Sequence, residues 1–237
     1  VAVLDGDSME IETAFGVEEV RLEGINTPER DECWGDEARS ASIDLTQGSD
    51  VLLAGSERDQ YGRLIGFVWV DGELLNLRLI ERGAAIAIVF DHAYLDEFLD
   101  AEESAFSAGA GLWALDACGP RSDARIAIRT VEFDPPGRDY ENPNEEIVVL
   151  VNDGDAFAMA GWVLRDESTA HRYSFPSDFV LGAGDAVAIH TGCGDDGGDH
   201  LYWCASDAVW SNGGDTALLL DPNGNVVDRY RFSGYLG

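Results

Sequence analysis

Lysine is absent. All 15 basic residues are arginine, set against 46 aspartates and glutamates, and the formal net charge is −31 over 237 residues. Neither half is spared: residues 1–120 hold 7 Arg and 26 Asp/Glu, and residues 121–237 hold 8 and 20. A basic module of the kind usual in nucleic-acid binders is therefore missing from both halves. High net charge marks a disordered chain only where apolar residues are scarce. Here 45% of residues are hydrophobic and 10% aromatic, enough for one large or two ordinary domains to bury a core. A folded, acidic, lysine-free chain has the composition expected of a protein from an extreme halophile. In molar salt a Debye length of about 3 Å screens self-repulsion, and the carboxylates keep the surface hydrated. Counterion release gives little affinity under such conditions. Recognition of a polyanion would then rest on a few aimed arginines and on base stacking.

Other features are missing too. No apolar run is long enough to cross a membrane, and no signal peptide is present. The sequence opens at Val1 inside an apparent strand, which suggests a processed or trimmed product whose export signal, if it had one, has been removed. CxxC pairs and zinc-spaced Cys/His clusters are lacking, which argues against a structural zinc. The four cysteines are Cys33, Cys118, Cys193 and Cys204. An even count with one pair in each half suggests two disulfides, Cys33–Cys118 and Cys193–Cys204, in an oxidising compartment, with four reduced thiols as the alternative. By loop length the first would contribute about 4 kcal/mol and the second about 3 kcal/mol or less.

In the first half, Val1–Leu4, Met9–Thr13, Glu18–Ile25, Asp50–Ala54 and Arg63–Val70 read as strands, with turns at Asp5-Gly6-Asp7 and Asp71-Gly72. Trp34–Gln47, Leu74–Arg82 and Tyr94–Ser107 read as helices, the first two stopped by Gly48 and Gly83. Ala84–Phe90 is apolar and expected to be buried. Five strands with interspersed helices fit an OB-type barrel. Gly119-Pro120-Arg121-Ser122-Asp123 is rich in breakers and is expected to link two domains, 1–118 and 124–237. Beyond it the helical spacing vanishes. Short apolar segments at Arg125–Phe133, Glu146–Asn152, Gly161–Arg165, His171–Phe175, Ala186–Thr191, Thr216–Leu220 and Val226–Phe232 alternate with Pro, Gly, Asn and Asp turns, the pattern of a β-sandwich.

The first half also offers a chemically coherent set: Asp5-Gly6-Asp7-Ser8, Arg21, Asn26-Thr27-Pro28-Glu29 and Asp59-Gln60-Tyr61-Gly62-Arg63. Metal-assisted phosphodiester hydrolysis needs oxygen ligands for a hard cation, a carboxylate to take a proton from water, and cationic donors for the charge growing on phosphate. These residue types are all present. The ordered motifs Asp-Gly-Asp-Ser, Arg-Leu-x-Gly-Ile-Asn-Thr-Pro-Glu and Asp-x-Tyr-Gly-Arg resemble the staphylococcal-nuclease-like (thermonuclease) enzymes. Leu75-Asn76, Arg82-Gly83, Ala101-Glu102 and Gly111-Leu112-Trp113 follow in the same order, so the resemblance spans residues 1 to about 115.

The resemblance implies that Asp7 is the main calcium-ligating carboxylate, that Thr27 offers a backbone carbonyl, and that Glu29 is the general base. It implies that Arg21 and Arg63 grip the scissile phosphate, where the guanidinium fork suits the oxygens better than an ammonium. Tyr61 would lie beside the nucleotide, and Asp5 and Asp59 would orient neighbouring groups. Two positions depart from the pattern. Ser8 replaces a threonine, and Asn26 stands where a second metal-ligating aspartate is usual, which predicts weaker Ca²⁺ binding of roughly 10⁻⁴–10⁻³ M.

Features of the second half are similar to the lamin-tail domain, an immunoglobulin-like sandwich. They are Asn144–Leu150, Gly161-Trp162-Val163-Leu164, Tyr173-Ser174-Phe175-Pro176, Leu181-x-x-Gly184, His190-Thr191-Gly192, Trp210-x-Asn212 and Asp215-Thr216-Ala217. No catalytic set is visible there. His171, His190 and His200 are scattered, with His190 read as a turn residue. Trp162, Trp203 and Trp210 read as core, and Asp195–Asp199 as a solvated acidic loop. In microbial proteins such domains often accompany exported nucleases. The chain is therefore expected to be mainly β, an OB-fold barrel with three helices followed by an immunoglobulin-like sandwich. The expected function is that of a monomeric, secreted or cell-surface nuclease acting on DNA and RNA with low sequence specificity and leaving 3′-phosphate ends. The sandwich would be an accessory module for a cell-surface or polymer ligand. A catalytically silent nucleic-acid-binding protein and a surface adhesion protein are the alternatives.

Overall fold

The computed structural model describes residues 1–137, 141–168 and 170–234. Two units follow one another, Val1–Cys118 and Gly119–Gly237.

In the first unit the chain runs β1 (Ala2–Val3), β2 (Ser8–Thr13), β3 (Gly16–Leu22), β4 (Ile25–Asn26), α1 (Gly35–Thr46), β5 (Val51–Arg58), β6 (Leu64–Val70), β7 (Glu73–Leu74), α2 (Leu75–Glu81), β8 (Ile86–Ala87) and α3 (Leu95–Ala108). Met9, Ile11, Val20 and Leu22 alternate inward along the β2–β3 hairpin, and Val68 and Val70 along β6, the period of two that a sheet buried on one face requires. They pack against Leu75, Leu79 and Ile80 of α2 and Phe98 of α3 in one core cluster.

The main sheet has the order β1-β2-β3-β6-β5, with β7 on β6, and β3 pairs with β6 in parallel. The barrel expected from the sequence does not close. Among the described residues no ladder joins β1 to β5. The two residues of β1 offer few backbone groups, and β5 bulges between Ala54 and Glu57 and runs out exposed from Gly55 onward. A separate ladder pairs β4 with β8.

Several of the motif residues serve the scaffold. Asn76 is fully buried; its Oδ1 accepts the Val68 N–H at 3.1 Å and its Nδ2 donates to the Glu23 carbonyl at 2.8 Å. Buried Glu102 accepts the Ala87 N–H at 2.7 Å, fixing β8 to α3. Gly83 and Gly111, both left-handed, press backbone on backbone where any Cβ would collide with a carbonyl oxygen.

The second unit carries β9 (Ile126–Glu132), β10 (Ile147–Asn152), β11 (Phe157–Ala158), β12 (Val163–Arg165), β13 (Arg172–Ser174), β14 (Val180–Leu181), β15 (Ala186–His190), β16 (His200–Tyr202), β17 (Gly214–Leu220) and β18 (Val226–Ser233). Two four-stranded sheets, β16-β15-β10-β9 and β13-β12-β17-β18, are accompanied by a β11-β14 pair. Trp162 and Trp210 are fully buried among Leu150, Met159, Leu164 and Leu219, and half-buried Trp203 packs on the same cluster. The Asp195–Asp199 loop is exposed. His190 differs from its reading as a turn residue. It ends β15, and its buried ring stacks on Tyr202 while Nδ1 bonds the Asn144 carbonyl at 2.7 Å. The bend falls at Thr191 and Gly192 instead.

Disulfides join Cys33 to Cys118 in the first unit and Cys193 to Cys204 in the second.

Candidate active site

The turn between β1 and β2 is built locally. Asp5 Oδ1 accepts the Asp7 N–H at 3.1 Å, an Asx turn, and the amides of Leu4 and Asp5 donate to the Ser8 carbonyl. A Cβ at Gly6 would lie 2.6 Å from Thr27 Oγ1, so glycine lets this turn press against the segment after β4. Asp7 is thereby aimed at Thr27. Its Oδ2 accepts the Thr27 N–H at 2.8 Å and the Thr27 hydroxyl at 3.0 Å, and its Oδ1 accepts the Ser8 hydroxyl at 3.2 Å.

Arg21 on β3 sits directly across the ladder from Ser8. Its Nη1 donates to the carbonyls of Leu22 and Ile25 at 2.7 and 2.8 Å, so the β3–β4 bend wraps the guanidinium. Its Nη2 donates to Asn26 Oδ1 at 3.0 Å and stands 3.2 Å from Asp7 Oδ2. Arg63 enters from the start of β6. The tight turn from Asp59 places Asp59 Oδ1 on the amides of Tyr61 and Arg63, while Oδ2 accepts Arg63 Nε at 2.7 Å. Nη1 of Arg63 then reaches Ser8 Oγ at 3.4 Å. Tyr61 is 75% exposed, and the Arg63 guanidinium carbon lies 5.5 Å from its ring centroid, within cation–π range.

One hydrogen-bonded network therefore gathers Asp7, Ser8, Arg21, Asn26, Thr27 and Arg63, with Asp5 shaping the turn and Asp59 holding Arg63. Glu29 is exposed and stands two residues beyond Thr27; its amide donates to Glu32 Oε2 at 3.1 Å. The link that sequence reasoning missed is Ser8, which joins Asp7 to Arg63 through one hydroxyl. Its sequence signal is its place in the Asp5-Gly6-Asp7-Ser8 motif.

Burial pushes the Asp7 carboxyl up, against the Arg21 charge and with help from Asp5, while the Thr27 donors pull it down. At Asp59 burial also works to raise the carboxyl, but the hydrogen bonds from Arg63 and the turn amides hold it below the usual range. Arg63 loses hydration on partial burial, yet Asp59 raises its pKa, and Asp7 and Glu19 add to this.

Asp7, the Asn26 amide oxygen and the Thr27 carbonyl are oxygen donors suited to a hard divalent cation. A buried carboxylate driven upward in pKa gains from an added positive charge. Among the described residues no group of three or more His, Cys, Asp or Glu side chains gathers for a metal. In this structure Asp7 Oδ2 and Asn26 Oδ1 both face Arg21 Nη2, at 3.2 and 3.0 Å.

The chain resembles known proteins along both units. Residues 19–115 match the family model of the staphylococcal nuclease homologues, and residues 120–234 match that of the lamin tail domain. Protein ParB of Escherichia coli is 32% identical over 124 residues, covering 48% of this chain and 70% of that protein. An uncharacterized endonuclease of Haemophilus influenzae is 30% identical over 115 residues, 48% of this chain and 64% of that protein. The SPbeta prophage-derived endonuclease YokF of Bacillus subtilis is 31% identical over 123 residues, 47% of this chain and 42% of that protein. The last two matches span less than two thirds of those relatives' lengths. With its arginine- and aspartate-lined network and these matches, the chain belongs to the staphylococcal nuclease family, a thermonuclease-type enzyme whose nuclease domain is followed by a lamin tail domain.

Proposed function

We propose that this protein is a secreted, salt-adapted endonuclease that hydrolyses DNA and RNA with little sequence preference and leaves 3′-phosphate ends. The observation that carries this reading is the convergence of two guanidinium groups on one edge. Arg21 lies 3.2 Å from Asp7 Oδ2, and Arg63 donates to Ser8 Oγ next door at 3.4 Å. Two forks so placed suit the non-bridging oxygens of a single phosphate. Arg21 and Arg63 bind the phosphodiester and stabilise the charge that grows on it. Glu29 takes a proton from the attacking water. Tyr61 offers an exposed face for a base to stack on. Asp7, Asn26 and Thr27 would hold a calcium ion; when bound, it polarises the phosphoryl oxygen and offsets its negative charge.

The nuclease domain is assigned to residues 1–118, the linker to 119–123, and an accessory sandwich for a cell-surface or polymer ligand to 124–237. Two disulfides suit an oxidising compartment, and among the described residues no helix is long and apolar enough to cross a membrane. The deficit of lysine and the net charge of −31 suit work in concentrated salt. The test is digestion of plasmid DNA and of RNA by the full chain in molar salt, with calcium or with a chelator. Cleavage of both with calcium, lost on chelation, supports the reading. Retarded but uncut nucleic acid in both conditions overturns it.

A further inference from the structure

The segment that carries Glu29 is anchored firmly at one end. Thr27 is fixed on Asp7 by its amide and its hydroxyl, and Pro28 restricts the next φ. The other end must be secured differently. Residues 29–31 are exposed. α1 begins without a side-chain cap, and its N-cap, Trp34, has a left-handed backbone with φ 70° and ψ 2°. A bulky residue keeps that conformation only where its surroundings over-determine it. Two adjacent ties do so. Cys33 is disulfide-bonded to Cys118, and Trp34 Nε1 donates to the Ala117 carbonyl at 3.2 Å. Their anchor is itself fixed, since Ala117 bonds back to Ala114, Leu112 bonds to Gly83, and Trp113 is buried.

From this clasp the segment folds back on Glu29. The Glu32 amide donates to the Glu29 carbonyl at 2.9 Å, the Gly35 amide to the Glu32 carbonyl at 3.2 Å, and the Glu29 amide to Glu32 Oε2 at 3.1 Å. Gly35 lies so close under the Glu29 carbonyl that a Cβ there would collide with it. Cys33 and Trp34 stand four and five residues beyond Glu29, across two consecutive turns.

We propose that Cys33, Cys118 and Trp34 are positioning residues for the reaction, and that their clasp holds the Glu29 carboxylate in register with the phosphate gripped by Arg21 and Arg63. This rests on the reading of Glu29 as general base. Loops of exposed residues open at low free energy unless tied, and a displacement of about 1 Å at a reacting group can cost 10²-fold in rate. The phosphate-gripping arginines lie on β3 and just before β6, outside the clasped segment, so binding is expected to survive its loss.

The test uses the full chain and a fluorescent oligonucleotide. Cys33→Ala/Cys118→Ala is expected to lower kcat about tenfold with KM changed less than twofold. Trp34→Phe, which removes the indole donor and keeps a ring, is expected to lower kcat less, again at constant KM. Cys193→Ala/Cys204→Ala in the other unit is expected to leave both unchanged. In a Glu29→Gln background, loss of the clasp is expected to change the residual rate less than twofold, whereas general unfolding would lower that residue of activity as well. Clasp variants that cut at the wild-type rate, or that depress the Glu29→Gln rate by the same factor as the wild-type rate, overturn the proposal. A Glu29→Gln protein that itself cuts normally overturns instead the reading beneath it.

Discussion

Asp59 and Arg63 form a closed turn in which one carboxylate oxygen takes two backbone amides and the other takes Arg63 Nε at 2.7 Å. With Nε held, Nη1 of the guanidinium reaches Ser8 Oγ at 3.4 Å. The turn thus fixes the arginine's direction before any substrate arrives. Asp59→Asn keeps the size but replaces one acceptor oxygen by a donor. It is expected to lower kcat/KM on an oligonucleotide roughly tenfold, as loss of orientation does, with less effect on thermal stability. An unchanged kcat/KM would show that Arg63 needs no such support.

Asn26 stands beside Asp7 with its amide oxygen on Arg21 Nη2. Asn26→Asp restores a second negative charge among the oxygen donors. Calcium affinity depends on ligand charge count, so calorimetric titration is expected to show roughly tenfold tighter binding. Equal affinity in the two proteins would place the cation away from residue 26.

How much of this was legible in advance follows from the range of the interactions. α1 and α3 declared themselves through apolar spacing and α1 and α2 through their glycine stops, because helices are written in contacts three and four residues apart. The long strands β6, β10 and β18 did likewise through their apolar runs. The short β4 and β8 did not, since two residues carry no period, and they exist only because Ile25–Asn26 and Ile86–Ala87 meet across about sixty residues of chain. Barrel closure was overstated for a similar reason: a strand count does not reveal that β1 is too short, or that β5 leaves the core after its bulge. In the site, residue types and motif order pointed to Asp7, Arg21, Asn26, Thr27 and Arg63. The Ser8 bridge and the turn-and-clasp around Glu29 depend on register and long-range contact, which no local pattern encodes.

His92 lies among Phe67, Phe90 and Phe98, with Nδ1 accepting the Tyr94 amide. Burial lowers its pKa from the ordinary 6.5, although Asp91 works to raise it. The folded state therefore binds fewer protons than the unfolded state as pH falls through this region, and stability declines on acidification. Hydrogen-exchange protection of the α3 amides is expected to fall below about pH 6.5, with a shallower fall in His92→Gln. Protection that rises on acidification contradicts the sign.

Asp215 behaves oppositely. Burial, with the Asp166 charge beside it, pushes its carboxyl from 3.8 to about 7, against donors from Ser211, Thr216 and Glu167. Between those values the folded state holds a proton that the unfolded state has released. Stability of this region therefore falls as pH rises through the window and levels off above about 7. Protection factors across β17 are expected to decrease from pH 5 to pH 8, with the slope reduced in Asp215→Asn. A flat profile in the parent protein contradicts the shift.

The most direct measurement is a single-turnover cleavage rate for Glu29→Gln beside the parent chain, at saturating protein, with calcium, in molar salt. A positioned general base contributes typically 10²–10⁴-fold, so the variant is expected to bind the oligonucleotide as before and to cut it at least about a hundred times more slowly. A variant that cuts at the parent rate would mean that the proton is taken elsewhere, and that the carboxylate after Thr27-Pro28 is not part of the chemistry.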